Sequence, residues 1–364
     1  MTYDAILLTT FGGPESPEEV MPFLERVTAG RGVPLERLIE VSNHYLSLGG
    51  VSPINAQNRD LLECLRKELI SRKIDTPIYW GNRNSHPFLA ETVKQMYADG
   101  HRRVLSLVSS AYSSYSGCRQ YRENLAKALI DTDLSGLLSI DKIRPYFDHP
   151  GFITPFARGL SQVLERLKSD GVPASTTHIF FTTHSIPNSM AESSGPGNLR
   201  AAFPSGAYVA QHNSAARCII DQVADQFAGE IPQWSLVYQS RSGAAHIPWL
   251  EPDIGDALRK TAESGTSTVI VVPIGFISDH VEVIWDLDHE AKEIAEELGL
   301  HFSRVETPGT SKEFVEGMVD LIQERLSQSE RKALSEIGPW ADFCAAECCP
   351  NPRQELPVIA ELSN

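Results

Sequence analysis

An apolar, β-rich run ends in a group of side chains that can bind metals or transfer protons. The run TVIVV at 268–272 leads through a Pro/Gly turn to Asp279, His280 and Glu282. Buried strands of α/β proteins present their ligand sites at their carboxyl ends. An imidazole beside carboxylates at such a place is a candidate site for metal binding or proton transfer.

Acidic side chains continue past this site at a regular interval. Glu282, Asp286 and Glu290 stand at i, i+4 and i+8, which would place them on one face of an α-helix. Like charges at this spacing destabilise an isolated helix by about 0.2–0.5 kcal/mol per pair. A solvated helix face is the usual explanation of an acidic run. This stripe begins at a strand end beside a histidine, which favours a functional role for its acids.

A second histidine follows another predicted strand. The strand predicted over 178–182 leads to His184 and Ser185, and a His beside a Ser suggests a hydrolase. However, the chain has no G-x-S-x-G elbow, no Walker A sequence and no dinucleotide fingerprint. A lone histidine at a strand end is more often a packing residue. Two strand ends that deliver His184 and Glu282 toward one sheet edge favour a functional site.

Strands alternate with helical patterns along the whole chain, which is typical of parallel sheets covered on both faces. We therefore predict an α/β protein with two doubly wound domains, at 1–150 and 151–310, and a ligand cleft between them. Residues 311–364 are expected to form a C-terminal helix and a cysteine-bearing tail that pack on the first domain. The predicted strands lie at 5–9, 77–80, 104–108, 178–182, 235–239 and 268–272.

Composition excludes several classes of partner. The chain has 364 residues and a net charge of −15, which argues against nucleic acid and anionic membrane surfaces as general partners. It contains no run of 18 apolar residues and no basic region typical of a signal peptide at its start. We therefore expect a cytoplasmic protein without a membrane span. Six cysteines in such a chain are unlike a disulfide framework.

Several segments resemble the ferrochelatase family, and they occur in the family's order over about residues 5–300. Each segment alone is weakly specific, whereas the full set is highly specific. The resemblance implies two Rossmann-like, chelatase-type domains with a porphyrin cleft between them. The matching segments are LLTTFGGPE at 7–15, GGVSPI at 49–54, YSGCRQY at 115–121, THSIP at 183–187, YQSR at 238–241, PWL at 248–250 and SDHVE at 278–282.

The resemblance also implies roles for the residues at the two strand ends. His184 and Glu282 match the family's cleft pair, which is assigned to ferrous-iron binding and pyrrole proton removal. A neutral imidazole accepts a proton near pH 7, and Fe²⁺ accepts both carboxylate and imidazole ligands. Asp286 and Glu290 would then form an outer cation site, on a route for hydrated cations or protons out of the cleft.

Three further residues match positions that contact the porphyrin. Ser52 and Tyr121 match contacts to propionates, for which hydroxyl groups are suitable donors. Without the resemblance, Ser52 is equally well a turn residue and Tyr121 a half-buried aromatic. Phe11 stands where many relatives have a tyrosine that can ligate the product iron. Because phenylalanine cannot ligate iron, any axial ligand would have to be His184.

The cysteine-bearing tail is similar to that of actinobacterial members, which resemble coproporphyrin ferrochelatases. A [2Fe–2S] cluster needs four thiolates. Cys344, Cys348 and Cys349 supply three, and the resemblance assigns the fourth to Cys118. Surface thiols without a redox function, or zinc in place of a cluster, remain the alternatives. Cys64 and Cys218 lie in helical patterns and are expected in the core.

The leading functional hypothesis is insertion of ferrous iron into coproporphyrin III, with release of two protons. Protoporphyrin IX is the alternative substrate, and we favour coproporphyrin III because no apolar lip or C-terminal anchor for membrane docking is evident. Cobalt insertion and a non-catalytic porphyrin or haem carrier with an iron–sulfur cluster are the other hypotheses. The family resemblance also suggests a monomer that transiently contacts a coprohaem decarboxylase.

Overall fold

Two parallel four-stranded sheets, each covered by helices, form the core of the chain in a computed structural model that describes residues 3–199, 201–227, 229–242 and 246–362. Their order is β2-β1-β3-β4 and β6-β5-β7-β8. The fold is therefore α/β with two doubly wound sheets, as the sequence predicted. In the part of the chain so described, no helix has the length and apolarity that crossing a bilayer requires.

The first sheet contains the N-terminal strands. β1 lies at its centre, and all six of its residues are buried because it is covered on both faces. The strands are β1 Ala5–Thr10, β2 Ile78–Asn82, β3 Arg103–Val108 and β4 Ser139–Lys142. The helices of this half are α1 Pro17–Thr28, α2 Leu35–Ser47, α3 Ile54–Ser71, α4 Leu89–Ala98 and α5 Gln120–Asp131.

The second sheet is formed by strands that follow residue 170. Its strands are β5 Thr177–His184, β6 Gln233–Gln239, β7 Thr268–Val272 and β8 His301–Arg304. The helices are α6 Pro150–Ser169, α7 Asn188–Glu192, α8 Gly206–Ala224, α9 Ile254–Glu263, α10 Val281–Val283, α11 Lys292–Glu297, α12 Lys312–Leu326 and α13 Ile359–Leu362. The two sheets have the same topology, with β1 equivalent to β5 and β3 equivalent to β7.

Each half also contains a π-helical segment after the third strand of its sheet. The first π-segment covers Tyr115–Arg119 and runs into α5, and the second covers Ile284–Ala291 between α10 and α11. π-Helices are rare and are frequently found at functional sites. Both segments contain residues that the sequence singles out, including Cys118 and Asp286.

The six predicted strands are confirmed, but two were missed. β4 (SIDK) and β8 (HFSR) are short, polar edge strands whose residues are mostly only half-buried, so they lack the apolar pattern of a central strand. The first helix begins at Pro17, whose fixed φ suits the first position of a helix. Ser16 occupies its N-cap position with extended backbone, although its hydroxyl accepts no bond from the helix backbone.

A continuous hydrophobic core joins the two halves through α6 and α12. The two helices approach closely at Gly151 and Gly317, where a Cβ on Gly151 would lie 2.6 Å from the Gly317 Cα atom. α12 also packs against α3 of the first half. Cys218 is buried and Cys64 packs at the edge of this core, as expected. The division at residues 150 and 310 stays a prediction.

Candidate active site

His184 is the last residue of β5, and two hydrogen bonds fix its position. The Tyr208 hydroxyl donates to the His184 carbonyl oxygen at 2.8 Å. The ring Nδ1 lies 2.5 Å from the carbonyl oxygen of Ser185. A carbonyl can only accept, so Nδ1 carries the proton and Nε2 keeps a free lone pair. The half-buried imidazole is therefore prepared to bind a metal ion or accept a proton through Nε2.

His280 and Glu282 lie close to His184, as the shared sheet edge predicts. Burial lowers the pKa of His280, the charge of Glu282 raises it, and the charge of His184 lowers it. Glu282 and His184 therefore both lie within electrostatic range of His280. The Nδ1 atom of His280 accepts the backbone N–H of Val283 at 3.4 Å and caps α10. This bond leaves the proton of the neutral imidazole on Nε2.

Two acids in the row after β7 have a structural role instead. The guanidinium of Arg304 contacts the carboxylate of Asp279 at 3.1 and 3.2 Å and that of Asp288 at 2.6 and 2.9 Å. Asp279 also accepts a hydrogen bond from the Thr307 hydroxyl. The grouping of Asp279 with His280 and Glu282 as site residues stays a prediction, and the ion pair with Arg304 offsets the charge of Asp279.

The acidic stripe is present, but its helix type differs from the prediction. Asp286 and Glu290 lie in the second π-segment rather than in an α-helix. Burial raises the pKa of Asp286 to about 7; the hydrogen bond from Ser240 lowers it, and the charges of Glu282 and Glu290 raise it further. Glu290 is exposed and accepts the indole N–H of Trp285 at 2.8 Å. A chain of three acids thus runs from the His184 site to solvent.

Helices α1 and α2 cover this site from the first half. Burial, followed by the charges of Glu282 and Asp286, raises the pKa of Tyr45 well above its usual value, so α2 faces the acids. Val281 packs into a small apolar cluster with Tyr45 and residues of α1. Beside it, the imidazole of His44 stacks on the indole of Trp285. Sequence patterns could not reveal His44, Tyr45 or Trp285, because only tertiary packing brings α2 to the second half.

The three predicted porphyrin-contacting residues lie in the first half. The guanidinium carbon of Arg83 lies 4.4 Å from the ring centre of Tyr121 and 5.4 Å from that of Phe11. Ser52 is buried, and a Cβ at Gly13 would lie 3.0 Å from its hydroxyl oxygen, so only glycine fits there. The structure therefore joins Phe11 and Tyr121 through Arg83, which sequence reasoning missed.

Exposed apolar side chains occur on α2 and just after it. They are Leu35, Ile39, Leu46 and Val51. Single exposed apolar side chains are normal on a protein surface. The expectation that the chain lacks an apolar lip for membrane docking therefore stays a prediction.

The four cysteines assigned to a cluster come together between the tail and the first π-segment. The thiol of Cys118 lies within hydrogen-bonding reach of Cys344 and Cys349, and that of Cys348 within reach of the same two. The sulfur atoms of Cys348 and Cys349 are 3.8 Å apart. Three of the four side chains are almost fully buried, and Cys344 is half-buried.

The surroundings of these thiols favour thiolates at Cys118 and Cys348 only. Hydrogen bonds to those two sulfurs raise the pKa of Cys344 and of Cys349 well above the usual value. Hydrogen bonds from Cys344 and Cys349, and then the charges of Lys142 and Arg122, lower the pKa of Cys118 well below its usual value. Hydrogen bonds from the same two thiols lower the pKa of Cys348 to about 4. Thiolates are the form that binds metals. The donor set therefore fits a group that takes four sulfur ligands.

The tail that carries three of these cysteines contacts both halves of the chain. Arg122 of α5 donates to the Cys344 and Ala345 carbonyl oxygens at 3.0 Å. From the second half, the backbone N–H of Gly195 donates to the Cys349 sulfur at 3.1 Å. Within the described ranges, no three His, Cys, Asp or Glu side chains converge as a single bound ion requires.

Several known proteins are similar to this chain over most of its length. The sequence profile of the ferrochelatase family matches residues 3–326. A coproporphyrin III ferrochelatase of Streptomyces griseus is 51% identical over 355 residues, covering 96% of this chain and 93% of that protein. A protein of the same name from Leifsonia xyli is 48% identical and covers 100% and 95%. The sirohydrochlorin chelatase SirB of Bacillus subtilis subspecies spizizenii superposes with a TM-score of 0.49 at 9% identity, covering 90% and 97%.

Proposed function

The chain belongs to the ferrochelatase family, and from this membership we propose that it inserts ferrous iron into coproporphyrin III, releasing two protons. The structural observation that carries the proposal is the free Nε2 lone pair of His184 beside Glu282. Relatives that are about half identical over nearly their whole length, and are named for this substrate, support coproporphyrin III over protoporphyrin IX.

The reaction requires removal of two pyrrole N–H protons and replacement of the water ligands of iron by four pyrrole nitrogens. In our proposal, His184 Nε2 and the Glu282 carboxylate form the pair that binds iron and removes the pyrrole protons. Because Nε2 has one lone pair, it accepts a proton only while it does not ligate iron. Neutral His280 carries its proton on Nε2 and lies within electrostatic range of the Glu282 carboxylate, whose charge it would help to stabilise. Asp286 and Glu290 form the outer cation site and carry protons or hydrated cations toward solvent, because the acidic chain ends at an exposed carboxylate.

We assign the opposite wall of the cleft to the porphyrin rim and face. Ser52 and Tyr121 donate hydroxyl hydrogen bonds to propionates, and their rigid placement against Gly13 and Arg83 supports this role. Phe11 packs against the macrocycle without ligating iron. Axial coordination of the product iron then falls to His184.

We also propose that Cys118, Cys344, Cys348 and Cys349 hold a [2Fe–2S] cluster. When bound, the cluster supplies four iron–thiolate bonds that cross-link the tail to the first π-segment. The charges of Arg122 and Lys142 offset those of the thiolates. Metal binding of this kind contributes directly to folding.

Three further proposals concern location and partners. The first is a cytoplasmic location, which rests on the sequence at the start of the chain and on the lack of a long apolar run. The second and third, which rest on family resemblance alone, are a monomeric state and transient contact with a coprohaem decarboxylase that receives the product. Sedimentation of the purified protein, with and without a decarboxylase, tests the second and third.

Anaerobic iron insertion tests the main proposal. Purified protein is mixed with Fe²⁺ and either coproporphyrin III or protoporphyrin IX, and the Soret band is followed. Turnover of coproporphyrin III alone is the expected result. Preference for protoporphyrin IX would overturn the substrate, and faster Co²⁺ than Fe²⁺ insertion would overturn the metal. Binding of porphyrin without turnover would favour the carrier hypothesis.

A further inference from the structure

Arg122 is a buried arginine of α5 that lies beside the four-cysteine group. Only 3% of the residue is exposed. It follows Cys118 by about one helical turn, because the first π-segment runs directly into α5. Its Nη2 atom donates to the carbonyl oxygens of Cys344 and Ala345, each at 3.0 Å. The guanidinium therefore joins the helix that follows one of the thiols to the tail that carries the other three.

The second terminal nitrogen of Arg122 has no partner. Its Nη1 atom is buried, and among the described residues it finds no hydrogen-bond acceptor. No carboxylate in the described part of the chain forms a salt bridge with Arg122, since the neighbouring Glu123 is paired with Arg119 at 2.8 Å. A buried guanidinium without a counter-charge is strongly unfavourable. Its position therefore indicates an anionic group at the cysteines.

The proposed cluster is such a group. A [2Fe–2S] cluster held by four thiolates has a net negative charge, which becomes one unit more negative on reduction. The charge of Arg122 contributes to the lowered pKa of Cys118 and of Cys348, after the hydrogen bonds from the neighbouring thiols. Lys142 also acts on Cys118, but it is only half-buried, and its Nζ atom donates to the Ile143 carbonyl oxygen at 2.8 Å. Of these two cations, Arg122 is the one with an uncommitted buried donor.

We propose that Arg122 binds the negative charge of the cluster through its Nη1–H groups and raises the reduction potential of the cluster. The inference rests on the proposed [2Fe–2S] cluster and assigns a residue that acts on its redox state. A one-electron donor reduces one ferric ion of the cluster to the ferrous state, and no proton is transferred. Because the reduced form is the more negative one, a nearby positive charge stabilises it more than the oxidised form.

An anaerobic redox titration of the cluster-loaded protein tests the inference. Dithionite is the reductant, mediator dyes set the potential, and visible absorption and EPR measure the reduced fraction. At the midpoint potential of the wild type, the ratio of reduced to oxidised cluster in Arg122→Gln should be lower by about 10-fold or more, which corresponds to about 59 mV. In Arg122→Lys the ratio should be lower by about 2- to 5-fold, because one ammonium cannot replace both ends of the guanidinium.

Lys127→Gln is the matched control, because it removes an exposed positive charge from the same helix. It should change the ratio by less than about 2-fold. Equal ratios in Arg122→Gln and Lys127→Gln would overturn the inference, since a merely structural role lowers the cluster content without changing the ratio. If Arg122→Gln retains no cluster, Arg122→Lys decides, and a ratio equal to that of the wild type would overturn the inference. A wild type without acid-labile sulfide would instead overturn the cluster proposal itself.

Discussion

The imidazole of His44 lies face to face on the indole of Trp285, with ring centres 4.1 Å apart and ring planes 9° apart. His44 belongs to α2 of the first half, and Trp285 belongs to the second π-segment beside Glu282 and Asp286. The stack therefore joins the cover of the site to its acidic wall. A planar porphyrin that enters from this side has to separate the two rings.

Loss of this stack should speed porphyrin exchange. His44→Ala removes an aromatic contact worth about 0.5–1.5 kcal/mol, so porphyrin association and dissociation rate constants should both rise by about 2- to 10-fold. Stopped-flow fluorescence measures both. His44→Phe keeps a stacking ring and is the control. Identical rates for the Ala and Phe variants would show that the stack does not limit access.

Glu282→Gln should abolish metallation without abolishing binding. The amide cannot accept a pyrrole proton, and we expect the rate of iron insertion to fall by about 100-fold or more. The Kd for coproporphyrin III should stay within about 3-fold of the wild type, because the rim contacts are intact. Anaerobic Soret kinetics and fluorescence titration provide the two measurements. The exposed Glu293→Gln is the control, and normal turnover by Glu282→Gln would contradict the assigned role.

Asp286 should make the protein less stable as the pH rises. The pKa of Asp286 is about 7 in the folded protein and 3.8 in the unfolded chain. Between pH 3.8 and 7, the native state therefore holds a proton that the unfolded state has lost. Stability from this group is thus present below pH 4 and lost as the pH rises through 7. As the pH rises from 5.5 to 8, the unfolding free energy of Asp286→Asn should increase by about 1–2 kcal/mol relative to that of the wild type. Urea unfolding in the presence of a chelator measures this difference. The exposed Asp256→Asn should show no such gain, and a flat difference for Asp286→Asn would contradict the raised pKa.

His212 should make the protein less stable as the pH falls. Burial lowers its pKa from 6.5 to about 3, and its Nε2 atom is buried without a partner, so protonation there is unfavourable. Its stabilising effect is complete above pH 6.5 and is lost as the pH falls toward 3. His212→Phe keeps a ring against Tyr112. From pH 7 to pH 5, the unfolding free energy of this variant should fall by about 1–2 kcal/mol less than that of the wild type. Exposed His246→Ala should leave the slope unchanged, and an unchanged slope in His212→Phe would refute the assignment.

The cluster hypothesis has a spectroscopic test. Anaerobically purified protein should show visible charge-transfer absorption, with equal amounts of iron and acid-labile sulfide. Cys344→Ser should lose this absorption and lower the Tm, since metal binding stabilises the folded tail. Cys64→Ser is the control, because Cys64 packs at the edge of the core away from the other thiols. Zinc without sulfide in the wild type would instead support the zinc alternative.

Local patterns were sufficient for the central strands and for the residues at their ends. β7 is an uninterrupted apolar run, and its connection to Glu282 is short, so both could be read from the sequence. β4 and β8 were missed because edge strands need little apolar surface. Arg304, which neutralises Asp279, and His44, which reaches Trp285, act across distances that no sequence spacing encodes. Helix type was also out of reach, since the π-segment carries an ordinary amphipathic pattern.

The equal order of the two sheets gives the chain an internal pseudo-symmetry. Because β1 is equivalent to β5, Phe11, just after Thr10, and His184 occupy corresponding strand ends. The segments after β3 and β7 correspond in the same way, one delivering Tyr121 and the other Glu282. A flat ligand bound between the halves would therefore meet equivalent strand ends that carry chemically different side chains. In the proposed function, one half supplies an inert ring and rim contacts and the other supplies the metal and proton ligands. We therefore expect that the two faces of the porphyrin are not interchangeable and that iron has one preferred side of entry.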